Sequence, residues 1–189
     1  MREKRTFTLI FALLAVFLAI LPFLVTFNEA LTHLVEKFQL YMWVQERIVP
    51  LEVKMVGVLV SALGRLTPFG IEYIAHQNGM TVNGTYAGMT WNCIGWQSLL
   101  LLIITLIVGL RGNYTLFSKI ETVLIGLLGT FLVNLARLTL IVILLAYSRP
   151  LFAVVYHDYL AAIVTIIWLF AFWWFAYAFV LETKAADER

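Results

Sequence analysis

Cysteine is almost absent from the chain: among 189 residues only Cys93 carries a thiol. An intramolecular disulfide is therefore impossible, and so is a cysteine-rich metal site. Charge is scarce too, at 13% of residues, where a soluble chain carries about a quarter. The formal net charge of +2 includes no basic tract that could track a phosphate backbone, so nucleic acid is excluded as a partner. No internal repeat, low-complexity tract or soluble second domain interrupts the pattern. What is there is apolar: 62% hydrophobic residues and a mean hydropathy of +0.93. A soluble domain of this length could not hide so much apolar surface, and lipid is the solvent that suits it.

The chain therefore reads as a single all-α polytopic membrane domain over residues 1–189, with one small extracytoplasmic β-hairpin. Four segments, Thr6–Phe27, Ile94–Leu110, Thr122–Tyr147 and Tyr159–Leu181, are apolar over the ~20 residues that cross ~30 Å of hydrocarbon. The first is basic at its head and lacks a small-residue cleavage pattern, which predicts a retained anchor rather than a signal peptide. The last ends among Trp168, Trp173, Trp174 and Tyr177, residues that settle at a membrane interface. Arg2, Lys4 and Arg5 hold the N-terminus in the cytoplasm, and Arg111 and Lys119 hold the loop after the second span there. Residues 82–93 and 148–157 then share the outer face of a plasma membrane.

Between the first two spans, residues 28–70 cross an even number of times or not at all. Leu31, Leu34, Val35, Phe38, Tyr41 and Met42 form an apolar stripe, with Glu36 and Lys37 on another side. Each charge would cost about 2.5–3.5 kcal/mol at a bilayer centre. A second helical pattern runs from Leu51 to Leu66 after Pro50. Two amphipathic or re-entrant helices at the outer leaflet fit best, and a hairpin making six spans is the alternative. Residues 71–93 then turn extracytoplasmic. Met80-Thr81-Val82, Asn83-Gly84 and Thr85-Tyr86 read as a β-hairpin on a type I′ turn, delivering the chain to Trp91-Asn92-Cys93.

Arg137 demands an explanation, because it carries a permanent charge well inside the third span, on the helical face of Thr130, Asn134 and Ile141. It could be a structural arginine that snorkels or ties helices together. Intramembrane ionisable residues more often mark a site, and Asn134 could hydrogen-bond the guanidinium or what it holds. His157, between Tyr156 and Asp158, opens the fourth span on the face where Cys93 opens the second. A thiol, an imidazole and a guanidinium could converge there: arginine favours a thiolate or an oxyanion, and histidine moves a proton. Arg137 stands ten residues before Tyr147, ~15 Å lower along a straight helix. Either that helix projects above the lipid or the site is recessed.

These residues resemble a family. Trp91-Asn92-Cys93-Ile94-Gly95 at the start of a membrane helix, Asn134-x-x-Arg137 in the next and His157 at the head of the last are similar to the exosortase/archaeosortase family, from about Leu51 onward. The resemblance implies a membrane-embedded cysteine transpeptidase that cleaves exported proteins at a C-terminal sorting signal and passes them to a lipid or surface acceptor. It further implies Cys93 as nucleophile, Arg137 as cationic stabiliser and His157 as proton carrier. Trp91, Gly95, Asn134 and Asp158 are the supporting candidates, and neither metal nor organic cofactor is expected. Ile94 stands where many members carry a small hydroxyl residue. At the third position His157 is closer to the exosortase pattern than to the archaeal one. Gly126 and Gly129 could admit a substrate helix or serve internal packing.

Two other readings stand beside this one. A small transporter, channel or assembly factor would use Arg137 as an anion or helix-pairing site and leave Cys93 dispensable. A haem protein would use His33, His76 and His157, of which only His157 lies near a span.

Overall fold

A computed structural model describes residues 32–33, 35–37, 39–66, 73–148 and 161–183. The expected first span at Thr6–Phe27, and His157 and Asp158, lie outside these residues. The chain divides into two compact units, Met1–Tyr41 and Met42–Arg189. In the first, the described residues include a helical turn on which His33 Nδ1 lies 3.7 Å from Glu36 Oε2.

The second unit is mostly helical. Helix α1 (Leu40–Arg47), which begins at the boundary, is followed by α2 (Val49–Leu66). Pro50 sits inside the first turn of α2 instead of preceding it, a position where its missing N–H has no helical acceptor to lose. Val49, Val53, Val56 and Val60 recur at helical spacing and are all buried.

Three strands follow: β1 (Tyr73–His76), β2 (Gly79–Val82) and β3 (Thr85–Gly88), antiparallel in the order β1-β2-β3. Thr81 pairs with Tyr86 and Val82 with Thr85 around Asn83-Gly84, whose φ angles of 46° and 80° are those of a type I′ turn. The strand β1, which the sequence pattern did not predict, pairs Ile74 with Thr81 and Ala75 with Met80. The inner face of β2 buries Met80 and Val82 against α2.

A 3₁₀ turn, Trp91–Ile94, leads through Gly95 into α3 (Trp96–Gly109). Helix α4 (Leu116–Tyr147) follows, and then α5 (Ala161–Phe175), which continues as a π-helical turn over Ala176–Val180. The start of α4 lies six residues before the predicted Thr122, because Thr115 caps it by accepting the Ser118 amide. Among the described residues, three helices are long and apolar enough to cross a membrane: Trp91–Gly109, Leu116–Tyr147 and Ile163–Val180. Only 22%, 33% and 22% of their most apolar stretches are buried by protein, so most of that surface needs lipid. These features make the chain a membrane protein. Neither α1 nor α2 is among the three.

Contacts fix how the spans run. The start of α3 meets the middle of α4 at Gly95 and Asn134, and Gly126 of α4 lies against Leu102 of α3 and Phe172 of α5. A Cβ on Gly129 would come within 2.2 Å of the Trp168 ring. Both glycines therefore serve close packing inside the bundle. At the far end the chain after α5 returns to the α3–α4 loop, where the Thr115 amide donates to Glu182 O at 2.9 Å. Thus α3 and α5 run together and α4 runs against them.

Two cores result. Leu102, Leu106, Phe172 and Ala176 form one among the three spans. The other joins the valines of α2, Met80 and Val82 of β2, Met89, Cys93, and Leu135, Leu138 and Val142 from the second half of α4. Helix α4 has 32 residues, about 48 Å, and serves both.

Candidate active site

The 3₁₀ turn, whose Cys93 belongs to the second core, leads into α3, whose Leu102 and Leu106 belong to the first. Its position follows from local chemistry: the Cys93 amide donates to Thr90 O at 2.8 Å, and Gly95 closes the turn at φ 77°, a left-handed conformation costly for other residues. Gly95 also leaves space. A Cβ there would lie 2.7 Å from Cγ of Asn134 and 2.8 Å from its Oδ1. The turn is held from outside by Gln45 of α1, whose Oε1 accepts the Trp91 amide at 2.7 Å and whose Nε2 reaches Met89 O at 3.4 Å. The Trp91 ring stacks on Trp96, whose Nε1 donates to Asn92 Oδ1 at 3.0 Å.

Cys93 is buried, with its sulfur 3.6 Å from the Thr90 hydroxyl. Arg137 Nη2 donates to the Cys93 carbonyl oxygen at 2.9 Å, and Asn134 Nδ2 donates to the same oxygen at 3.3 Å. The arginine therefore meets the cysteine at its backbone, across a separation of 44 residues. The remainder of α4 past Arg137 is packed under α2 and the sheet, where Asn83 Nδ2 donates to Ala146 O at 3.2 Å. Helix α4 thus continues beyond Arg137, and the 3₁₀ turn packs against it at Asn134 and Arg137.

Sequence reasoning missed Glu52. It lies on the buried face of α2 between Val49 and Val56, 3% exposed, and its Oε1 accepts Asn134 Nδ2 at 2.8 Å. Burial pushes its carboxyl up from 4.5 to about 7, against the downward pull of the Asn134 hydrogen bond and the Arg137 charge. The signal was available, since a glutamate three residues after one buried valine and four before another interrupts an apolar stripe. Gln45 was missed as well, and nothing in its local pattern distinguishes it.

Beneath the turn, Ser98, Thr130, Asn134, Arg137, Thr165 and Trp168 line a cavity between α3, α4 and α5 with about 220 Å³ of empty space including its mouth. Its hydroxyls pair with one another and with Trp168: Ser98 with Thr165 at 2.9 Å, and Trp168 Nε1 with Thr130 Oγ1 at 2.9 Å. Asn134 is 4% exposed, and its Oδ1 has no hydrogen-bond partner among the described residues. His76 pairs with Thr81 on the sheet at 2.8 Å. Among the described residues no three His, Cys, Asp or Glu side chains converge as metal ligands.

Cys93, Asn134, Arg137 and Gly95 are thus brought together, with Trp91 bracing the turn. The arrangement can hold the thiol-bearing residue rigidly beside a cation at the head of a membrane helix. Comparison of the chain with family models, with curated proteins and with solved structures found no match.

Proposed function

We propose that the chain is a membrane-embedded cysteine peptidase and transpeptidase of the exosortase/archaeosortase type, acting on exported proteins that end in a sorting motif, an apolar helix and a basic tail. The observation that carries this reading is the double anchoring of the Cys93 carbonyl by Arg137 and Asn134. It fixes the only thiol of the chain beside a permanent cation where the spans give way to the α2-and-sheet core.

In the proposed reaction the Cys93 thiolate attacks a carbonyl carbon just outside the substrate's membrane helix. The new C–S bond gives a tetrahedral oxyanion, which Arg137 stabilises. The C–N bond then breaks, His157 gives its proton to the leaving amine, and an acyl thioester remains on Cys93. A lipid or surface acceptor attacks the thioester, its proton passes to His157, and the thiolate leaves. This reading goes with an N-terminus in the cytoplasm and an active site outward in the plasma membrane, on four spans, or six if residues 28–70 form a hairpin through it. Helix α2 suits a place at the outer surface, because its exposed face mixes Leu51 and Val58 with Lys54 and Arg65.

A non-enzymatic reading is favoured by one observation: the Arg137 contact goes to a backbone oxygen, as a helix-tying arginine's would. Cleavage of a co-expressed substrate with its native sorting signal separates the two, with variants matched by blotting. Cys93→Ala and Arg137→Ala should abolish processing. Arg137→Lys should lose most of it with the planar fork, and His157→Ala should slow it by about 10²–10⁴-fold. Normal processing by Cys93→Ala would refute the cysteine-peptidase reading and favour the non-enzymatic one.

A further inference from the structure

Glu52 is the one acidic side chain buried in this core among the described residues, and the reaction above gives it no role. Its carboxyl receives one hydrogen bond, from a neutral amide, and makes no ion pair among the described residues. An ionised carboxylate held so would keep most of its desolvation cost, whereas the neutral acid would not. Among the described residues the facing groups on packed elements are Arg137 from α4 and Cys93 from the 3₁₀ turn; His76 on β1 is exposed and bound to Thr81. The Asn134 amide joins Glu52 to the Cys93 carbonyl directly, since its Nδ2 reaches both oxygens. A change of charge on Glu52 therefore acts within one residue of the thiol.

We propose that Glu52 sets the charge experienced by Cys93: as a neutral acid it takes nothing from the Arg137 charge beside this residue, and as an anion it offsets that charge through the shared Asn134 link. Glu52 is thus a positioning residue that touches no substrate. In a site that uses a thiolate, the protonated form is the competent one, and rising pH opposes the thiol from within. The sign is consistent with the burial-raised carboxyl. Protonation of Glu52 favours the folded chain, so its contribution to stability declines between 4.5 and about 7 and stays low above.

The consequence for catalysis rests on the peptidase reading, but the test does not. Because Cys93 is the only thiol, its alkylation in the purified full-length protein reports the site without any substrate. N-ethylmaleimide labelling rates are measured from about pH 5.5 to 9 for the wild type and for Glu52→Gln, which keeps the shape and an acceptor for Asn134. Glu52→Gln should label about three- to tenfold faster than the wild type at the alkaline end, where the wild type carries the anion. The two should coincide at the acid end, and the melting-temperature gap between them should open as pH rises from 4.5 toward 7. Superimposable profiles would overturn the proposal, and so would acceleration by the same factor at every pH, which would indicate loosened packing only. If Glu52→Gln fails to fold, infrared spectra of wild-type protein carrying ¹³C-glutamate replace it. A protonated buried carboxyl band at about pH 6 that vanishes at the alkaline end is expected, and its absence at pH 6 would overturn the proposal. A pH-dependent labelling difference together with normal processing by Cys93→Ala would refute the peptidase reading and leave this one standing.

Discussion

Around the first half of α4, Leu102, Leu106 and Phe172 pack inward while Leu124, Leu128 and Leu132 remain more than half exposed. Around its second half, Leu135, Leu138 and Val142 are enclosed by α2 and the sheet in a core that also takes in Cys93. One helix thus runs from a region that needs lipid into a region that covers itself. Lipid tails are as apolar as leucine, so the span region is held by close packing at Gly126 and Gly129 and by hydroxyl pairs. The enclosed region gains from burial as well. Polar groups follow the same division: in the spans they pair two by two between helices, and at the junction Glu52, Asn134, Arg137 and the Cys93 carbonyl join three segments distant in sequence.

The sharpest way to break this comparison is Gly95→Ala, at the junction itself. The left-handed backbone costs about 1–2 kcal/mol for a residue with a Cβ, and overlap with the Asn134 amide adds about 1–3 kcal/mol. Processing should be lost together with the stability of the turn. Circular dichroism melts in a single detergent would check the second effect, and substrate cleavage the first. A milder pair compares the two cores. Leu138→Ala, in the enclosed core, should cost about 2–5 kcal/mol, as deep truncations do where burial and packing are both lost. Leu102→Ala, equally buried among the spans, should cost less, because its side chain meets lipid rather than water when the helices separate. Equal losses in matched unfolding experiments would remove the distinction between the halves.

The three spans among the described residues were legible in the sequence because nothing but lipid suits runs such as Leu99–Leu110. Asn134 and Arg137 were legible because polar residues are costly there. The turn at Asn83-Gly84 could be read because both of its residues tolerate positive φ. The strand β1 was hidden by its length of four residues and by the unremarkable sequence Tyr-Ile-Ala-His, which becomes a strand only through pairing with β2. The early start of α4 was hidden for another reason: Lys119 and Glu121 lower the apolar signal without disfavouring helix, and the Thr115 cap decides the boundary. The contact between Arg137 and the Cys93 backbone could not be read at all. Spacing suggested the thiol side chain, whereas the carbonyl of the same residue receives the hydrogen bond, a choice made by how far the turn descends.

The central claim is that Cys93 forms a covalent bond to substrate at this junction. It is tested most directly by intact mass and peptide mapping of protein trapped during turnover with a sorting-signal substrate. The account predicts an acyl adduct on Cys93 that hydroxylamine releases, that accumulates when acceptor is withheld and that is absent from Arg137→Ala. Efficient cleavage with no adduct on Cys93, or an adduct on another residue, would contradict it.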